Sequence, residues 1–183
     1  MRQLNLQQAA TLESLSAEVV RLNRELEGRA VSREDLRAAL PLFERALATE
    51  IALGFARVSL TPEGLVVTLL NSRLFDPEDN RFLPEGRESL DKIAIFLNGE
   101  LSAHRIEVQG HTDNLPVEGP EGVTNWEYAA DCATEVLHYW VETKGLSPAR
   151  FRVSSFGEFQ PVTSNDTDAG RIQNRRIAVV VLP

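Results

Sequence analysis

One cysteine, no long apolar run and a shortage of basic residues set the first limits on this 183-residue chain. With Cys132 alone an internal disulfide is excluded, and cysteine usage leaves the redox compartment open. No apolar stretch reaches the roughly 18 to 20 residues that cross a bilayer, and Met1-Arg2-Gln3-Leu4 opens no signal peptide. Lys plus Arg number 19 against 27 Asp plus Glu, a formal net charge of -8. That balance excludes a nonspecific hold on nucleic acid or anionic lipid, so a polyanionic partner needs a local site. Internal repeats and low-complexity tracts are also missing. What is present, 43% hydrophobic residues, is enough to bury one ordinary core with an appendage, and two full domains are not expected.

The appendage is helical. Leu12, Leu15, Val19, Leu22 and Leu26 fall on a and d positions of about two heptads, with Glu13, Glu18, Arg21, Arg24 and Glu25 between them. Such a narrow stripe fits either a helix packed on its own domain or a short parallel coiled coil joining two subunits. Gly28 ends it, giving a first unit of residues 1–30. Ser32-Arg33-Glu34-Asp35 has the form of a capping box, and it starts a linker helix within 31–54 whose face is Leu36, Ala39, Leu40, Phe43 and Leu47.

From Phe55 the period changes to two, and residues 55–183 form the expected main domain. Ala56 to Leu60 and Leu65 to Leu69 read as strands joined by the turn Thr61-Pro62-Glu63-Gly64. Residues 74–84 read as loop, followed by a helix that turns Leu90, Ile93, Ala94 and Leu97 inward. A strand at Arg105 to Gln109, a helix from Thr124 to about Thr143, a strand at Arg152 to Ser155, a polar loop and a last strand Ile177 to Leu182 complete the order. The pattern predicts an α+β fold, a sandwich of helices on one face of a mixed sheet, preceded by the N-terminal helical segment.

Gly110-His111-Thr112-Asp113-Asn114 sets a carboxylate at the exit of the third strand, where sheets of this kind form ligand crevices. Asp in such a place also serves as a turn residue or helix cap. Beyond a Pro/Gly loop, Thr124-Asn125-Trp126-Glu127 is a second capping box, so a helix N-terminus with N–H donors follows the Asp113 loop. A carboxylate and amide donors side by side suit a zwitterion, with its ammonium on Asp113 and its carboxylate on N–H groups or a guanidinium.

These words, together with Leu74-Phe75-Asp76, Phe156-Gly157-Glu158 with Pro161, and Asn165-Asp166-Thr167 through Gly170-Arg171 to Asn174-Arg175-Arg176, resemble the OmpA-like peptidoglycan-binding domain from about Leu65 to Leu182. The long Leu115-to-Thr124 insertion and Asn125-Trp126-Glu127 are similar to the variant in the MotB family of flagellar stator proteins. The resemblance implies a noncatalytic periplasmic domain that holds the diaminopimelate of the peptidoglycan stem peptide. Its ligand residues would be Thr112, Asp113, Asn114, Asn125, Arg171 and Arg175, with no cofactor and no metal. It also implies work as a homodimer and, in a stator, a MotA-like membrane partner joined through an ion-carrying transmembrane helix, a segment not expected within this chain.

One departure falls at the site. The family's helix reads Leu-Ser, two residues, then Arg-Ala after Asn-Trp-Glu, whereas Tyr128-Ala129-Ala130-Asp131-Cys132-Ala133 puts Cys132 at the Arg position. Asn125 and Cys132 are seven residues apart, which predicts that Cys132 faces the same crevice as the helix start. A thiol cannot replace a bidentate guanidinium. Either Arg171 or Arg175 compensates, or the module has lost wall binding and serves as a dimerisation or scaffold element, with Cys132 a small residue beside Ala129, Ala133, Val136, Leu137 and Trp140. Cys132, His111 and Asp113 also contain the group types of a cysteine hydrolase, but neither a nucleophile elbow nor an oxyanion hole accompanies them. A metal site from His104, His111 and Asp113 is disfavoured because the two histidines fall at opposite ends of one strand.

Overall fold

The computed structural model describes residues 32–76, 81–117 and 122–183. The Leu12-to-Leu26 stripe and the unit 1–30 lie outside the described residues. Ser32 caps helix α1 (Arg33–Ala46) as its sequence predicts: the Asp35 N–H donates to Ser32 Oγ at 3.2 Å, and the Ser32 N–H donates to Asp35 Oδ2 at 3.4 Å. A short helix α2 (Ala48–Ala52) continues it after an irregular Leu47. Leu36, Ala39, Phe43 and Leu47 are all buried in one cluster with the sheet, and Leu40 packs against it. The sequence boundary at 54 therefore gives way to one compact unit, Ser32–Pro183, in which the expected linker helix is part of the core. Burying side chains of this size contributes about 1.5 to 3 kcal/mol each, far more than a tethered linker would leave exposed.

The hairpin forms as read. Strands β1 (Ala56–Leu60) and β2 (Leu65–Leu70) pair antiparallel, and the Thr61 N–H closes the turn on the Gly64 carbonyl at 2.8 Å. A single helical turn α3 (Asn71–Leu74) follows, and Phe75 pairs with Phe82 across the segment read as loop. Helix α4 (Pro84–Asn98) starts on a proline at its first position, where no N–H is needed, and buries Leu90, Ile93, Ala94 and Leu97.

Strand β3 (Ile106–His111), helix α5 (Asn125–His138), strand β4 (Phe151–Gly157), helix α6 (Asp168–Asn174) and strand β5 (Arg176–Val181) complete the fold. The sheet runs β1-β2-β5-β3-β4, with β3 and β4 parallel and the other pairs antiparallel. Leu65, Val67 and Leu69 face the same core as Ile177, Val179, Val181, Ile106 and Val108, while α1, α4 and α5 supply its other wall. The last turn of α5 widens into a π-helix over Tyr139–Thr143, and the Trp140 indole N–H donates to the Leu90 carbonyl at 3.0 Å. An α+β sandwich on a mixed sheet is therefore the observed architecture.

Helix α6 was not legible: its stretch reads as a polar loop. It is short, contains Gly170 and has no apolar period, so periodicity could not reveal it. Its signal is Thr167, whose Oγ accepts the Gly170 N–H at 3.1 Å as an N-cap. Only glycine fits at 170, because a Cβ there would run into the Ser164 carbonyl oxygen.

Candidate functional site

Three sheet strands bring the site together. Gly110 lets α5 lie against β3, since a Cβ at that position would overlap the Ala129 carbonyl oxygen. The β3–β4 register slips after Gly110, which faces Ser155, so that His111 faces Gly157. A bulge of this kind re-aims the chain at a strand end. The Thr112 N–H then bonds the Gly157 carbonyl at 2.8 Å, and Asp113 leaves the sheet beside Gly157-Glu158. On the other side β5 pairs His111 with Arg176, so Arg175 arrives at the same sheet end.

Asp113 is only 3% exposed. Its Oδ1 accepts the Leu115 N–H at 2.9 Å, and its Oδ2 forms an ion pair with Arg175. Thr112 Oγ donates to the Asp113 carbonyl at 2.9 Å, and Asn125 Nδ2 donates to the same carbonyl at 3.2 Å. Asn125 Nδ2 also reaches Glu158 Oε2 at 2.5 Å. The structure brings Thr112, Asp113, Asn125 and Arg175 together, and Asn114 is exposed at the rim. Glu158 joins them unforeseen. Its signal was Phe156-Gly157-Glu158, recognised as a motif without a role.

The Asn174-Arg175-Arg176 run divides three tasks. Asn174 is fully buried and clamps the preceding loop, accepting the Val162 and Thr163 N–H groups and donating to the Thr163 carbonyl and Asn165 Oδ1. Arg175 goes to Asp113. Arg176, buried, donates to the Asn174 and Gln160 carbonyls and meets His111 Nδ1 at 3.2 Å. Arg171 is engaged elsewhere: its guanidinium pairs with Asp168 and donates to the Asn165 carbonyl at 2.6 Å.

Two expectations about the helix change. Thr124 and Glu127 do form the second capping box, but the cap itself takes donors: Thr124 Oγ accepts the Trp126 N–H at 3.2 Å, and Glu127 Oε2 accepts the Thr124 N–H at 2.9 Å. Cys132, expected in the crevice, is fully buried in the hydrophobic core with Ala133, Val136 and Trp140. Asn125 and Cys132 are both buried, but Cys132 packs within the apolar cluster while Asn125 sits between the exposed Thr124 and Trp126 at the helix start. Burial, with the Cys132 thiol beside it, pushes the Tyr128 phenol up to about 12, while Arg175 pulls the other way.

The groups of a hydrolase are present but unsuited to one. Burial, with Arg176 adding to it, lowers His111 from 6.5 to about 3, and the ring stacks on Phe156 at 5.1 Å. A base that weak is far from the neutral optimum for proton abstraction. A groove of about 970 Å³ is lined by Ile51, Phe55, Val58, Thr68 and Thr163 among others and contains none of Asp113, Asn125, Glu158 or Arg175. We place the candidate site at Asp113 because the chemistry is there.

A helix-covered mixed sheet with a paired, buried carboxylate at its end defines the class as an α+β sandwich domain with a polar crevice. Residues 74–175 match the OmpA family, and the chain belongs to that family. Motility protein B of Bacillus subtilis is 32% identical over 131 residues, 68% of this chain and 47% of that protein. The chain spans about half the length of the curated relatives it matches first. Among solved structures, the cell wall anchor of the T6SS from Pseudomonas aeruginosa superimposes with a TM-score of 0.68 at 28% identity, covering 76% of this chain and 96% of that one. A MotB-like protein from Desulfovibrio vulgaris shares the fold with a TM-score of 0.72 at 23% identity, covering 88% and 95%.

Proposed function

We propose that this domain binds peptidoglycan without catalysis, through the diaminopimelate head group of the stem peptide, in the periplasm. In this reading it anchors a MotB-like ion-driven stator, or a related membrane complex, to the cell wall. The observation that carries it is Asp113, a buried carboxylate at a sheet end facing Arg175, within an OmpA-family domain. An ammonium ligand takes the place of a cation that the site already accommodates. Thr112, Asn125 and Glu158 hold the loop in position, and Asn114 lines the rim.

Cosedimentation with purified sacculi tests this. Asp113→Asn keeps the shape and the Leu115 hydrogen bond but removes the charge, so it should weaken pelleting while the fold persists. Undiminished pelleting of the Asn variant would reduce Asp113 to a turn residue.

A second reading has its own support. Asp113 already has a cation, and Cys132 supplies none, so the module could serve as a scaffold with weak wall binding. Either role suits a homodimer held by residues 1–30, and a stator would add a MotA-like partner. Light scattering at about 100 μM on the full chain and on residues 32–183 decides the dimer; equal monomer masses exclude it.

A further inference from the structure

The Asp113 crevice holds a buried hydrogen-bond acceptor that no donor among the described residues satisfies. Asn125 Nδ2 is engaged by two acceptors, the Asp113 carbonyl and Glu158 Oε2, which fixes the orientation of the amide. Its Oδ1 is buried and has no hydrogen-bond partner among the described residues, and Asn125 as a whole is 9% exposed. A buried acceptor left in this state keeps its full desolvation cost until a donor reaches it. Beside it stands the Glu158 carboxylate. Of the donors, the Trp126 N–H is taken by Thr124 Oγ, and the Arg175 guanidinium has one of its N–H groups on Asp113.

Charge points the same way. Among the described residues Asp113 is ion-paired with Arg175, the Glu158 carboxylate is held by the neutral Asn125 amide, and Cys132, at the position where the family resemblance expects a second guanidinium, is buried. An arriving carboxylate can take N–H groups of Arg175 that Asp113 leaves unused, but it brings a second negative charge to a crevice that already holds the Glu158 carboxylate, and it offers no donor to Asn125 Oδ1. A carboxamide in the same place donates its N–H groups to Asn125 Oδ1 and Glu158 and adds no negative charge, whichever way the ammonium and Arg175 share Asp113.

We propose that this crevice selects an ammonium group whose neighbouring carboxyl is blocked as a carboxamide, over the same ammonium beside a free carboxylate, with Asn125 and Glu158 setting the preference. The inference rests on the peptidoglycan reading above and names the form of stem peptide that the site takes.

Calorimetric titration of the full chain with two synthetic stem peptides tests it, one ending in diaminopimelate with a free side-chain carboxylate and one with that group as carboxamide. The carboxamide peptide should bind at least tenfold more tightly. Equal affinity, or tighter binding of the free acid, overturns the selectivity while leaving wall binding in place. Binding of neither peptide removes the wall-binding reading and this one with it. Glu158→Gln keeps an acceptor for Asn125 Nδ2 and removes the charge, so the preference should fall to within about threefold as the free acid gains. An unchanged ratio in that variant overturns the role assigned to Glu158.

Discussion

Arg175 and Asp113 form an ion pair across the end of the sheet in which the carboxylate is 4% exposed and the guanidinium 39% exposed. The two partners are therefore not equivalent. Loss of Arg175 strands a buried charge, whereas loss of the Asp113 charge frees a guanidinium that already touches water.

Arg175→Gln should therefore destabilise the domain by about 2 kcal/mol, below the roughly 3 to 5 kcal/mol of a fully buried pair because of that exposure. Asp113→Asn should cost less than about 1 kcal/mol, and adding it to Arg175→Gln should recover part of the loss. Urea denaturation of the three variants measures the asymmetry. Equal costs for the two single variants would mean that the pair is solvated in solution.

Cys132→Arg should destabilise by several kcal/mol, because position 132 is fully buried and a guanidinium there has to displace packed side chains to reach water. Cys132→Val, similar in volume, should stay within about 1.5 kcal/mol. The same burial predicts that Cys132 reacts with a thiol reagent only on unfolding, so its modification rate in the native protein should follow the unfolding equilibrium. Rapid labelling of the folded protein would contradict this placement.

The buried His111 gives the domain a defined acid sensitivity. Its folded pKa, about 3, lies below the unfolded 6.5, so between those values the unfolded chain binds the extra proton. Stability then rises with pH across that window and is lost as pH falls from 6.5 toward 3, by about 4 to 5 kcal/mol in total at 1.36 kcal/mol per pH unit. His111→Gln should lower the slope of unfolding free energy against pH between 4 and 6 by up to that amount per unit. An unchanged slope would assign the acid response to other groups.

Gly110→Ala should cost about 3 kcal/mol or more, since its methyl group meets a backbone oxygen that no rotamer change can move. Ala129→Gly should not rescue it, because the obstruction is the Ala129 carbonyl and not its side chain. Thermal melts of the single and double variants are sufficient, and rescue would disprove the backbone contact.

Much of the fold was legible from period and punctuation alone. The Ser32 and Thr124 capping boxes, the Thr61-to-Gly64 turn, the period-two strands and the inward face of α4 all rest on interactions within a few residues, which local sequence specifies. The site was legible as far as Asp113, Asn125 and Arg175, because short motifs fix strand exits and helix starts. Tertiary structure decided the rest. It drew the helix at Arg33–Ala46 into the core, formed the unpatterned helix Asp168–Asn174 around its Thr167 cap, and placed Glu158 against Asn125 across 33 positions of chain. It also settled which arginine meets Asp113 and how deep Cys132 lies. Pairing across the sheet end depends on strand register, and burial depends on what packs above a helix; both are set by distant parts of the chain and neither is written in local spacing.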